Sequence, residues 1–257
     1  MGFLVFVVGA VFGSFLNMCI HRLPRSLSIV RPGSFCPHCQ HKLYWFDNIP
    51  LISYLFLRGH CRYCHKLILL RYFIVELLTS SLFLLLFIRF DLSVSFFIFS
   101  LLILALILAS FIDWEHYLIP DLVVYPGIVL GLLFNLIFPE LAFSNDSLYA
   151  LKESFLGVLV GGGFLYLTAL AGEIVMKKEA MGGGDVKLLA MIGAFLGWRS
   201  VLLAIFFGSI IGSVVSLALI GLKIKKRTDY IPFGPYLSLG AVISLFYKGS
   251  TFLGYYI

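Results

Sequence analysis

Long apolar runs separated by short polar stretches dominate the pattern of this chain. A helix needs about 20 apolar residues to cross a bilayer, and most of these runs approach that length. We predict membrane segments over roughly 1–20, 72–88, 92–112, 122–138, 154–175, 188–197, 200–221 and 232–247. The segment that begins at Leu188 is short for a full crossing. The pattern predicts an all-α polytopic membrane protein with about eight membrane segments.

Residues 21–71 form the one long polar stretch between these runs. A segment of this size is too small to bury a core unaided, and such chains usually depend on a metal or on disulfides. We therefore expect three parts: a retained first transmembrane helix at 1–20, a small domain at 21–71 and a transmembrane domain at 72–257.

Composition and charge agree with a membrane location. The mean hydropathy is +1.02 and only 12% of residues are charged, against about 25% in an ordinary soluble domain. Of the 19 lysines and arginines, fifteen fall in loops on one side of the predicted bundle, which the positive-inside rule makes cytoplasmic. The domain at 21–71 is then cytoplasmic. Nucleic-acid binding is not expected, because these charges are spread over several loops.

Two C-x-x-C pairs lie in the polar segment, at Cys36 with Cys39 and at Cys61 with Cys64. Four thiolates at this spacing can close a tetrahedral zinc site, which would be structural because it leaves no open position for water. Two disulfides or four idle thiols are the alternatives. A reducing cytoplasm argues against the disulfides.

A carboxylate stands behind a glycine run at the edge of an apolar segment, in Gly182, Gly183, Gly184 and Asp185, with Lys187 two residues further on. An acid at a bilayer edge is costly, so Asp185 is a functional hypothesis. The glycines would let an extended chain lie against the backbone. We therefore predict a substrate-binding loop formed by Gly182, Gly183, Gly184 and Lys187. A flexible polar loop at a helix end is the alternative.

A second acid, Asp113, follows about twenty apolar residues and lies at the same predicted membrane edge. Two carboxyl groups brought together in a cleft cannot both ionise easily, so one can act as a base toward water and the other as an acid. This is the chemistry of an aspartic protease. The sequence offers other partners for Asp185 as well, namely Glu76, Glu115, Asp121 and Glu173.

Motifs along nearly the whole chain resemble those of the type IV prepilin peptidases, which are leader peptidases and N-methyltransferases of the G-x-G-D intramembrane aspartic protease class. The matching stretches are Gly13-Ser14-Phe15-Leu16-Asn17, His21-Arg22-Leu23-Pro24, Cys36-Pro37-x-Cys39, Trp45-x-Asp47-Asn48-Ile49-Pro50, Leu57-Arg58-Gly59-x-Cys61-Arg62-x-Cys64, Ile112-Asp113, Ile119-Pro120-Asp121, Glu179-Ala180-Met181-Gly182-x-Gly184-Asp185-x-Lys187 and Ile231-Pro232-Phe233-Gly234-Pro235-Tyr236.

The resemblance implies that Asp113 and Asp185 are the catalytic pair and that the four cysteines bind zinc. It also implies cleavage of the short basic leader of prepilins or pseudopilins at the cytoplasmic face of the bacterial inner membrane. N-methylation of the new N-terminus from S-adenosylmethionine follows in that family, and the domain at 21–71 would be associated with it. No G-x-G-x-x-G follows a strand, so a Rossmann-type donor site is not expected. The pilus, type II secretion and competence systems are the settings implied.

Three other functions fit part of the pattern. A preflagellin- or presenilin-like protease would share G-x-G-D but not the cysteine pairs. A transporter could use Asp113 and Asp185 as a proton or cation relay, although both acids lie at the membrane edge and not at its middle. A zinc-held membrane scaffold would carry no chemistry.

Overall fold

The computed structural model of the chain describes residues 1–31, 33–142, 144–176, 182–226 and 229–248, and in these ranges the secondary structure is helical apart from two isolated antiparallel bridges. The all-α prediction is confirmed. In chain order the helices are α1 (Gly2–Arg22), α2 (Ile52–Phe56), α3 (Leu70–Phe90), α4 (Val94–His116), α5 (Asp121–Ile137), α6 (Ser147–Met176), α7 (Gly183–Leu196), α8 (Trp198–Gly221) and α9 (Gly234–Lys248).

Each of the eight predicted membrane segments coincides with one of the longer helices. Among the described residues, α1, α3, α4, α6 and α8 are long and apolar enough to cross a membrane, whereas α5 and α9 are shorter apolar helices. The 14 residues of α7 extend over only about 21 Å, against about 30 Å of hydrocarbon. The protein is therefore a multi-pass membrane protein, and a count of eight spans stays a prediction.

The chain divides into two compact units, Met1–Leu108 and Ala109–Ile257. In the first unit, α1 lies directly against α3. A Cβ atom at Gly9 would lie 2.8 Å from the Cα atom of Ser80, and one at Gly13 would lie 2.7 Å from that of Glu76. Glycines four residues apart let two membrane helices approach this closely. The pair carries the cysteine-containing segment between its two helices.

Helix α7 is the core of the second unit, because every side chain from Leu188 to Leu196 is buried. Its backbone lies against that of α6, where Gly157 faces Gly193 without any intervening side chain. From α5, the amide of Asn135 donates hydrogen bonds to the carbonyl oxygens at the carboxyl end of α7. A short helix held on several sides presents its first turn at a fixed position.

A break between α4 and α5 and a contact between α8 and α9 position other groups near the first turn of α7. Tyr117 adopts a φ of 54° and ends α4, and its N–H bonds to the carbonyl oxygen of Asp113 at 2.9 Å. Pro120 then occupies the N-cap position of α5, where its missing N–H removes no helical hydrogen bond. Helices α8 and α9 pack closely where Gly208 lies against the backbone of Tyr236, two residues after the start of α9. This contact fixes the amino end of α9.

Candidate active site and metal centre

Asp113 lies in the last turn of α4, next to the fully buried Ile112, and its own exposure is 5%. Its Oδ2 atom accepts a hydrogen bond of 3.0 Å from the backbone N–H of Gly234, the first residue of α9. That N–H is one of the donors that a helix leaves unpaired at its amino end. A Cβ atom at Gly234 would lie 2.7 Å from the same Oδ2 atom. The bond therefore depends on glycine at this position.

Asp185 lies in the first turn of α7, ahead of the apolar run that begins at Leu188 and outside the five spanning helices, and its exposure is 4%. Its N–H donates to the carbonyl oxygen of Gly182 at 3.1 Å. Burial and, to a smaller extent, the charge of Asp113 raise the pKa of this carboxyl group to about 7. Asp185 therefore holds its proton far more firmly than an exposed aspartate does.

Both carboxyl groups line one cavity of about 350 Å³. Its wall also includes the glycine run, the rings of Tyr117 and Tyr230, and residues 118–121 at the turn into α5. The prediction placed Asp113 and Asp185 at one edge of the bundle, and the structure brings both to the same cavity. A water molecule there could reach two carboxyl groups, which is the arrangement that acid–base hydrolysis requires.

The three glycines have different surroundings. Gly182 and Gly183 are exposed, and no atom outside the local chain lies within 4 Å of a Cβ atom built on Gly183. Gly184 instead packs on Ile119, whose Cβ atom would lie 3.1 Å from an added Cβ. Gly182 and Gly183 thus provide the open backbone that the sequence predicted, while Gly184 is a packing contact. Glu179, Ala180 and Met181, from the same motif, lie outside the described residues.

Lys187 lines the cavity but its ammonium group already has partners. It lies 2.8 Å from Oδ1 of Asp121 and 5.2 Å from the ring centre of Tyr125. The Asp121 side chain is 57% exposed, so this ion pair contributes at most about 1 kcal/mol to stability. Because Asp121 is paired with Lys187, it is a poor candidate for the catalytic partner of Asp185. Whether Lys187 contacts substrate stays a prediction.

The other acids considered as partners lie elsewhere. Glu115 is on the exposed face of the last turn of α4. Glu76 belongs to the first unit, where its carboxylate accepts the N–H of Leu51 at 2.7 Å. The side chain of Glu173 lies outside the described part of the chain. Among the described acids, Asp113 and Asp185 are thus the buried pair at the cavity.

In the first unit, the sulfur atoms of Cys36, Cys39, Cys61 and Cys64 all lie within 4.8 Å of one another, and those of Cys36 and Cys64 are 3.9 Å apart. A tetrahedral zinc ion bound at about 2.3 Å places its sulfur ligands about 3.8 Å apart. The four cysteines are free of disulfides. The donor set and its spacing therefore fit structural zinc.

The two cysteine pairs are built in the same way. In each, the N–H of the first cysteine bonds to a carbonyl five residues on, at His41 or Lys66, and its own carbonyl accepts the N–H of Gln40 or His65. Gln40 and His65 both have positive φ angles, of 56° and 53°. Each pair is thus a tight turn that aims two sulfurs at one point. Two of the nearby histidines have other contacts: the ring of His41 packs against that of Tyr63, and His60 bonds to a backbone carbonyl.

Sequence reasoning missed two groups near the acids. The Gly234 N–H comes from a stretch whose resemblance was noted without any role being assigned, and Tyr230 immediately precedes that stretch. Gly234 is 121 residues from Asp113, and a backbone donor leaves no signal in the side-chain pattern. The Pro232-Phe233-Gly234-Pro235 stretch, with prolines on either side of a glycine between apolar runs, was the available signal.

The fold and cavity define a helical membrane protein with a candidate aspartic protease centre. The bacterial peptidase A24 N-terminal domain model matches residues 7–90, and the type IV leader peptidase family model matches residues 100–217. The chain belongs to the type IV leader peptidase family.

Three relatives are named prepilin leader peptidase/N-methyltransferase. The protein of Aeromonas hydrophila is 34% identical over 96% of this chain and 91% of its own length. That of Stutzerimonas stutzeri is 35% identical over 93% of this chain and 88% of its own length. That of Myxococcus xanthus is 39% identical over 84% of this chain and 62% of its own length. No solved structure shows a significant match.

Proposed function

We propose that this protein is a prepilin leader peptidase, which hydrolyses the peptide bond between the short basic leader and the apolar helix of a type IV prepilin or pseudopilin. The observation that carries the proposal is the pair of buried carboxyl groups, Asp113 and Asp185, on one cavity. Membership of the family and the names of the relatives support the substrate class.

The reaction needs one ionised and one protonated carboxyl group. The ionised group takes a proton from water as the water oxygen adds to the scissile carbonyl carbon, and the protonated group gives its proton to the carbonyl oxygen. The proton taken from water then passes to the amide nitrogen as the C–N bond breaks, and the carboxylate that gave its proton takes one back from a hydroxyl group of the collapsing intermediate, which restores the pair. The two groups titrate as a pair, so the base and acid roles belong to the pair and not to one residue each.

The exposed backbone of Gly182 and Gly183 would receive the extended segment around the scissile bond. The basic loops support a cytoplasmic position for this edge of the protein, at the bacterial inner membrane, where a basic leader would be found before export. The substrate helix would remain in lipid beside the bundle, so prepilin and membrane lipid are the partners, and nucleic acid is not one.

The four cysteines would hold a structural zinc ion that fixes the 21–71 segment. A bound zinc ion would join the two cysteine turns and stabilise this segment. We keep the division into 1–20, 21–71 and 72–257 as part of the proposal. N-methylation of the cleaved product, with S-adenosylmethionine as donor, is the second proposed activity. A Rossmann-type donor site requires a parallel sheet, which the described residues do not contain.

A cleavage assay on a full-length prepilin in detergent or nanodiscs tests the proposal. We expect mass spectrometry to show one cut that releases the basic leader, with wild type and not with Asp185→Asn. Uncut prepilin with both proteins would overturn the proposed function. The transporter function has no supporting observation, since both acids lie in end turns of helices and not at mid-helix.

A further inference from the structure

The cavity contains a third polar group, the phenol of Tyr230, which the two-carboxylate chemistry does not use. Its ring packs edge-on against that of Tyr117, with centres 5.3 Å apart and planes at 74°. The Nζ atom of Lys225 donates to the Tyr230 carbonyl oxygen at 3.2 Å and to the Tyr117 hydroxyl at 3.4 Å. These contacts fix the ring and backbone of Tyr230 without using its hydroxyl group.

The hydroxyl group and Asp185 face the same small space. The position that a Cβ atom would take at Gly182 is 3.5 Å from Oη of Tyr230 and 3.9 Å from Oδ2 of Asp185. Glycine leaves that position empty. A substrate oxygen displaced slightly from it would be within hydrogen-bond reach of both groups. Gly182 is exposed, so the space is open to an incoming chain.

The phenol is a donor under all ordinary conditions. Burial raises its pKa, and the charges of Asp185 and Asp113 raise it further. A tyrosine beside two acids keeps its proton, so its hydroxyl group can donate a hydrogen bond to an acceptor that lies between it and Asp185. The acceptor that appears during amide hydrolysis is the oxygen of the scissile carbonyl.

We propose that the Tyr230 hydroxyl donates a hydrogen bond to the scissile carbonyl oxygen and stabilises the tetrahedral intermediate. This assignment rests on the proposed function. Water adds to the carbonyl carbon, one carboxyl group takes the water proton and the other protonates the carbonyl oxygen. Tyr230 neither gains nor loses a proton. Its hydrogen bond strengthens as negative charge builds on that oxygen, before the proton from the carboxyl group is fully transferred, and a donor positioned for that charge lowers the barrier.

Tyr230→Phe tests the proposal, because it keeps the ring against Tyr117 and removes only the hydroxyl. We expect kcat for leader cleavage to fall about 10- to 100-fold while KM stays within about twofold. A leader peptide in which a hydroxyethylene unit replaces the scissile amide should lose affinity by a similar factor, because it mimics the intermediate. Tyr166→Phe is the matched control, since Tyr166 is 56% exposed on α6 and Tyr230 is 54% exposed.

The outcomes separate this proposal from the proposed function. Wild-type cleavage that Asp185→Asn abolishes, together with normal kcat for Tyr230→Phe, would overturn the role of Tyr230 alone. A rise in KM with kcat unchanged would also overturn it, because it would show a contact made equally in the ground state. Absence of cleavage by wild type would instead overturn the proposed function.

Discussion

The cysteine cluster and the carboxylate cavity are built by opposite routes. The cluster joins residues at most 28 positions apart, and two similar hydrogen-bonded turns set its geometry. The cavity joins Asp113 to a backbone donor 121 positions away, and helix packing sets its geometry. We expect the cysteine cluster to depend on its bound metal for a fixed geometry, because it is built from a short segment. The carboxylate cavity should keep its geometry without a ligand, because packed helices position its residues. Disturbing the two regions should therefore have different consequences.

Loss of zinc should have the largest structural effect, and this effect should be confined to the segment that carries the cysteine cluster. In Cys61→Ser a buried ligand is lost, and we expect the bound zinc to disappear and the 34–69 segment to become sensitive to limited proteolysis. Metal analysis and peptide mapping measure both effects. The matched control is Cys19→Ser, because Cys19 is buried in α1 and does not belong to the cluster.

Replacing zinc by cobalt tests whether the metal is purely structural. A structural metal takes no part in hydrolysis, so kcat should stay within about twofold while a thiolate-to-cobalt absorption band appears. A large change in kcat on substitution would show that the metal participates in the chemistry, and would contradict a purely structural role.

The next largest effect should come from adding one methyl group beside Asp113 at the carboxylate cavity. Gly234→Ala places a Cβ atom 2.7 Å from Oδ2 of Asp113, so the carboxyl group must move and its bond to the backbone N–H is weakened. We expect kcat to fall about 100-fold, with zinc content unchanged. In Gly163→Ala the added atom meets nothing within 4 Å, so this variant should cleave normally. Equal activity in both variants would show that the Gly234 contact does not position Asp113.

The last expected effect is a pH dependence that arises from Asp185. Its pKa is about 7 in the folded protein and 3.8 in an ordinary aspartate, so between these values the native state binds more protons than the unfolded state. The free energy of unfolding should therefore fall as the pH rises from about 4 to about 7, and then level off. Cleavage should decline as the pH rises through about 7, because the pair loses its shared proton.

Thermal unfolding of Asp185→Asn across the same pH range isolates the contribution of Asp185 to the pH dependence of stability. The amide has no charge to bury, so its Tm should exceed that of wild type at about pH 8 and depend less on pH. Parallel pH curves for the two proteins would contradict the assigned shift in pKa.

The sequence predicted the helices and the cysteine turns well because both depend on neighbours along the chain. Apolar runs specify helices, and C-x-x-C spacing specifies which sulfurs converge. It also placed Asp113 and Asp185 at one membrane edge, since the charge of the loops fixes the side on which each helix ends. It could not show that Asp121 pairs with Lys187, or that Tyr230 and Gly234 reach the acids. Those contacts depend on how α7 and α9 pack, which no local pattern encodes.

The central claim is that Asp113 and Asp185 act as one pair. The most direct measurement is the rate of prepilin cleavage by Asp113→Asn, Asp185→Asn and the matched control Glu115→Gln, each checked for an unchanged fold by its Tm and zinc content. We predict that either asparagine abolishes cleavage and that Glu115→Gln, which alters an exposed acid two residues from Asp113, cleaves at the wild-type rate. Cleavage retained by a folded Asp113→Asn or Asp185→Asn protein would contradict the account.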